Sequence, residues 1–158
     1  MKSSPHYSPL QIALHWLIAA GIFFNYFVSQ GMGRALRQNI AGESITIGIA
    51  NLHVWLGVTI WLLAVLRLAV RLRQGAPAPQ AGVTGKIAKA AHYLLYALIL
   101  VMPLAGMAAW FGGFKPAGGA HHLMATALYL LALLHALAAC YHQFLRRDGT
   151  LMRMIRPR

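Results

Sequence analysis

The 158-residue chain is 59% apolar and 10% charged, with two acidic residues, Glu43 and Asp148, against 14 Lys and Arg. A soluble domain carries about 25% charged residues, so this composition excludes a water-facing surface over most of the chain. The formal net charge of +12 would suggest nucleic acid in a soluble protein; here the basic residues fall between long apolar runs, and membrane topology accounts for them with no nucleic acid involved.

Four apolar spans follow in chain order, approximately 8–29, 44–70, 87–111 and 118–145, each long enough to cross a ~30 Å hydrocarbon core as a helix. The expected fold is all-α, a single four-helix integral membrane bundle over residues 1–158. The first span follows Lys2 as a secretory signal would, but it is long and aromatic and has no small-x-small cleavage site, so it is expected to stay as a helix. The connection 30–43 is polar and carries Arg34 and Arg37. The connection 71–86, RLRQGAPAPQAGVTGK, holds Pro and Gly that break a helix. The third connection, GGFKPAGG, is short, which makes the last two spans an antiparallel hairpin. Cys140 is read as a small apolar packing residue, and with no C-x-x-C-H there is no c-type haem attachment.

Lys2, Arg67, Arg71, Arg73, Lys86, Lys89, Arg146, Arg147, Arg153, Arg156 and Arg158 fall on one side, and Arg34, Arg37 and Lys115 on the other. This asymmetry predicts a multi-pass protein of the bacterial inner membrane with both termini in the cytoplasm. Trp16, Trp55 and Trp110 sit near span ends, as interfacial anchors do.

Eight histidines occur, and all but His6 lie within or at the edge of a span, where an imidazole is expensive unless it has a function. At 100° per residue, His121, His135 and His142 share one face of the last span, His122 points elsewhere, and His121 and His135 are ~21 Å apart along the axis. Matching depths pairs His15 with His135 on the cytoplasmic side and His53 with His121 on the outer side. Facing imidazoles across a bundle are axial ligands for b-type haem, so two haem b groups are expected, with the four histidines on the iron. Zinc is the rival; a closed zinc site needs four ligands, often with thiolate or carboxylate, and the spans offer almost none. Gly48, Gly57 and the alanines of the last span leave room for a macrocycle.

With LHWL in the first span, NLHVWLG opening the second, KAAHYLLY in the third, the His121-x13-His135-x6-His142 series and the tail RRDGTLMRMI, the chain resembles the bacterial cytochrome b561 family over nearly its whole length. It is similar in particular to the superoxide:ubiquinone oxidoreductase-like members. The resemblance implies the same four haem ligands. It also implies a quinone site at the cytoplasmic end, where Thr84, His92 and His142 match, and a reaction that oxidises periplasmic superoxide to O₂ and reduces ubiquinone. The loop 112–119 is shorter than in those members, on the face where superoxide would dock. Arg34, Arg37 and Lys115 are the cations available there to steer it, while His92 and His142 suit proton relay to the quinone. The other reading is an electron-transfer subunit linking the quinone pool to a periplasmic redox partner protein. A cofactor-free transporter is disfavoured, since it would need carboxylates or broken helices in the spans and only Pro103 interrupts one.

Overall fold

The computed structural model describes residues 6–77 and 82–156; Lys2 and Arg158 of the charge balance lie outside them. The described residues form five α-helices and a short 3₁₀ turn, with no strand pairing into a sheet.

Helix α1, Pro9–Phe27, is started by a capping box: Gln11 N–H donates to Ser8 Oγ and Ser8 N–H to Gln11 Oε1. Pro9 takes the first helical position, where its missing N–H costs nothing. The polar connection contains a helix that the hydropathy reading did not anticipate, α2, Met32–Ala41, bounded by Gly31 and Gly42 with φ of 79° and 70°. Met32, Ala35, Leu36 and Asn39 recur at helical spacing. Ala35 is fully buried, Asn39 Nδ2 donates to the Trp110 carbonyl at 2.7 Å, and Leu36 packs against Gly118, where a Cβ would lie 2.7 Å from Leu36 Cδ2. Arg34 and Arg37 stay exposed.

Helix α3, Ala50–Gln74, starts and ends later than the span 44–70, since 44–49 is turn and extended chain. Helix α4, Gly82–Trp110, begins well before residue 87. Of the helix-breaking connection expected over 71–86, residues 71–74 and 82–86 are helical, with α3 ending before Gly75 at φ 82°, and 78–81 lie outside the described residues. The flanking RLRQ and VTGK tetrapeptides hold no proline to remove a helical hydrogen bond. Helix α5, Lys115–Phe144, opens with Pro116 in its first turn, just before the expected 118. The turn η1, Leu151–Met154, follows. Helices α1, α3, α4 and α5 are each long and apolar enough to cross a membrane.

Ile18, Ile60, Ala64 and Ile99 form the core where α1, α3 and α4 meet. Gly21 sets the α1–α3 approach, since a Cβ there would lie 2.9 Å from Ile60 Cγ1. Trp61 Nε1 donates to the Leu100 carbonyl at 3.0 Å and ties α3 to α4. Helix α5 packs along α4, whereas among the described residues it has no backbone packing of similar extent with α1 or α3. Large apolar side chains such as Leu17, Phe23, Leu62, Leu130 and Leu134 are exposed, the surface expected of helices that face lipid.

One end of the bundle gathers the start of α1, the end of α3 and η1. Ser8 Oγ donates to Gln74 Oε1 at 2.6 Å, Gln11 Nε2 to the Gly75 carbonyl at 2.9 Å, and Trp16 Nε1 to the Met154 carbonyl at 2.6 Å. This is called the terminal end below, and the opposite one, covered by α2 and the α4–α5 turn, the α2 end.

Candidate functional site

Near the α2 end, His53 in the first turn of α3 faces His121 on α5, with ring centroids 6.2 Å apart and planes at 86°. Each ring is fixed from behind. His121 Nδ1 lies 2.9 Å from the Met102 carbonyl and His53 Nδ1 lies 3.4 Å from the Asn25 carbonyl. An Nδ1–H donated to a carbonyl leaves the lone pair on Nε2, the tautomer a metal-ligating histidine requires. Gly106 makes the His121 position possible, since a Cβ there would lie 2.8 Å from His121 Nδ1. Pro103, inside α4, lies in the same turn of helix as Met102. Gly57 faces Asn25, whereas Gly48 sits in the turn before α3 with open space around it.

Toward the terminal end, His15 on α1 faces His135 on α5 at a centroid distance of 6.4 Å and 75°. His92 on α4 comes closer to His135, at 5.0 Å and 81°, and its Nδ1 lies 2.6 Å from the Ala88 carbonyl one turn back. Two metal–imidazole bonds of about 2.0 Å, with each ring centre about 1.1 Å behind its nitrogen, put coaxial imidazoles on one metal about 6.2 Å apart. Both facing pairs have that spacing, so they fit a group that takes one ligand from each side. The His92–His135 contact, at 5.0 Å, is too short for two ligands on opposite sides of one metal, so His92 packs beside the couple without forming a second one with His135. Among the described residues no three of His, Cys, Asp and Glu converge as a site for a bare metal ion.

Sequence reasoning counted Arg67 and Arg71 for topology alone. The structure stacks both guanidinium groups over the Tyr96 ring, at 5.4 and 5.9 Å from its centroid, and brings Arg67 within electrostatic reach of His15, His92 and His135. The signal available was a charge well inside an apolar helix. Gly106 and Asn25 were also missed, because what they contribute is a missing side chain and a backbone carbonyl.

The remaining predicted residues divide by location. His142, on the His135 face and nearer the terminal end, has its Nδ1 on Asp148 Oδ2. Thr84 is exposed in the first turn of α4, helical and not in a loop. Arg34 and Arg37 are exposed on α2 and Lys115 at the start of α5. His122 is exposed, apart from the face of His121.

The family model for prokaryotic cytochrome b561 matches residues 6–157. The chain is 42% identical to cytochrome b562 of Cereibacter sphaeroides, over the full length of both. It is 28% identical to the probable superoxide oxidase CybB of Yersinia pestis, over 94% of this chain and 95% of that one, and 27% identical to cytochrome b561 homolog 1 of Escherichia coli K12, over 94% and 96%. With four helices long and apolar enough to cross a membrane and these matches over its length, the chain belongs to the prokaryotic cytochrome b561 family of multi-pass, haem b-carrying electron-transfer membrane proteins.

Proposed function

We propose that the protein holds two haem b groups at two depths of the bacterial inner membrane and moves electrons from periplasmic superoxide to ubiquinone, with both termini in the cytoplasm. The observation that carries this reading is the pair of facing histidine couples, 6.2 and 6.4 Å apart, on α5 positions ~21 Å apart along the axis. In this reading His53 and His121 ligate the periplasmic-side haem and His15 and His135 the cytoplasmic-side haem, while Arg67 and Arg71 supply countercharge for haem carboxylates. Bound haem would supply reversible one-electron chemistry on the path between the two faces.

The chain's own residues do the rest. The Met102 and Asn25 carbonyls hold the His121 and His53 rings in the tautomer that presents Nε2. Arg34, Arg37 and Lys115 draw the superoxide anion to the outer face. In this reading Thr84, His92 and His142 form the ubiquinone site toward the cytoplasmic face, and His92 or His142 hands the quinone protons. The reaction balances as two superoxide, one ubiquinone and two protons giving two O₂ and one ubiquinol. Support comes from the 28% relative named as a probable superoxide oxidase, and from the exposed cations of α2 and α5 at the outer end.

A second reading, a relay between the quinone pool and a periplasmic redox partner, is favoured by α2 itself, a cationic helix laid across the outer end where a partner would dock. Optical spectra separate the two. Superoxide that produces the reduced b-haem bands, and ubiquinone that then bleaches them, supports the oxidase. Bands that appear with dithionite and not with superoxide would make the protein a relay.

A further inference from the structure

The last turn of α5 is followed by a reversal that aims one of the chain's two carboxylates at a histidine. Arg147 adopts φ 54°, among the described residues the single non-glycine with positive φ, and Gly149 follows at 72°. A bulky residue held in this region is an uncommon and costly conformation, found where surrounding contacts impose it. Here Asp148 N–H donates to the His142 carbonyl at 3.2 Å, which already satisfies the helix end. The side chain does something else. Asp148 Oδ2 meets His142 Nδ1, while Asp148 Oδ1 accepts from Thr150 N–H at 3.0 Å and Thr150 Oγ1 at 2.6 Å. Both carboxylate oxygens are therefore directed, one by Thr150 and one onto the imidazole. His142 is seven residues beyond His135 on the same helix face, ~10.5 Å nearer the terminal end, so its ring lies on the bundle side below the His15–His135 couple.

We infer that Asp148 is a positioning residue that holds His142 as a proton donor to the bound quinone. The inference rests on the quinone reading above. With Nδ1–H held by the carboxylate, the proton available to a ligand is the one on Nε2, and the carboxylate stabilises the imidazolium that carries it. For each electron the quinone gains, the His142 Nε2–H bond breaks and an O–H bond forms at a quinone oxygen. The imidazole left behind keeps its Nδ1 proton on Asp148 and is recharged from the adjoining aqueous phase. Two such transfers complete the quinol.

The test is reoxidation of the prereduced, haem-loaded protein by a short-chain ubiquinone, for wild type, Asp148→Asn, His142→Gln and the double variant. Ferricyanide, which takes electrons without protons, serves as the second oxidant. Asp148→Asn is expected to lower the maximal rate with quinone by about 10-fold or more, with the quinone KM held within about two-fold and the ferricyanide rate unchanged. The double variant is expected to be no slower than His142→Gln, since groups acting as one unit are non-additive. Equal quinone rates for wild type and Asp148→Asn, or independent effects in the double variant, overturn the inference and leave the quinone reading standing. A wild-type protein that quinone does not reoxidise overturns both. If Asp148→Asn loses haem, Thr150→Val, which keeps the charge and the Thr150 N–H bond but removes the hydroxyl bond to Asp148 Oδ1, is expected to show a smaller slowing with quinone alone; no slowing overturns the inference.

Discussion

At the scale of single residues, the histidines separate by what lies behind each ring. His53 and His121 are held by backbone carbonyls, His142 by a carboxylate, and His122 projects outward. On the proposal that each couple holds one haem, His135→Ala is expected to lower haem content from two per chain to one, while His122→Ala keeps both; a pyridine haemochrome assay on purified protein checks both variants. Gly106→Ala puts a methyl 2.8 Å from His121 Nδ1 and forces the ring off the Met102 carbonyl. Overpacking of this kind costs about 1–3 kcal/mol, so reduced haem occupancy at the His53–His121 couple alone, with a lower melting temperature, is the expected outcome. Unchanged occupancy would mean that the ring tolerates displacement. The four ligand candidates were legible in the sequence because an imidazole in an apolar span stands out. Gly106 was not, since its contribution depends on which ring another helix brings to it.

At the scale of elements, α2 is the main departure from the hydropathy reading. Its ten residues include two arginines, a glutamine and an asparagine, so a window tuned to lipid-crossing helices passes over it. The buried Ala35 and the Asn39–Trp110 bond show it docked across the α4–α5 hairpin, which carries Arg34 and Arg37 to the end where Lys115 stands. Neutralising the three together, Arg34→Gln, Arg37→Gln and Lys115→Gln, is expected to reduce the superoxide reaction about 10-fold at low ionic strength and flatten its salt dependence, with the haem bands unchanged. Stopped-flow traces over a salt series measure this, and a rate that falls equally at all salt concentrations would point to a docking defect in α2. The lengths of α4 and α5 also differ from expectation, with VTGK on the helix side of the connection. Proline and glycine mark that a chain turns, and the residue at which a helix resumes depends on what its first turn packs against.

At the scale of the whole molecule, the arrangement is two packed pairs, α1 with α3 and α4 with α5, joined through α3 and α4. Helix α5 stands off from α1 and α3, and the facing imidazoles bridge that separation. Side-chain charge gives the assembly a direction: the arginines and lysines of the terminal end outnumber those of the α2 end. A C-terminal fluorescent-protein fusion is expected to fluoresce in the cytoplasm and a C-terminal alkaline phosphatase fusion to be inactive; the reverse pattern would invert the topology and put Arg34, Arg37 and Lys115 on the cytoplasmic side.

Composition and periodicity by themselves determined the helical class, the number of long apolar helices and which rings face each other, His15 with His135 and His53 with His121. Those depend on hydropathy along one chain and on the 100° step of a helix, both local quantities. Tertiary structure decided what holds each ring: the Met102 and Asn25 carbonyls, the cleft left by Gly106, the Arg67 and Arg71 stack on Tyr96, and the fold-back that brings Asp148 to His142. Those contacts join residues whose side chains meet only after helices pack or a turn takes a left-handed step. A carbonyl acceptor or an absent methyl leaves no mark in a single sequence that distinguishes it from its neighbours.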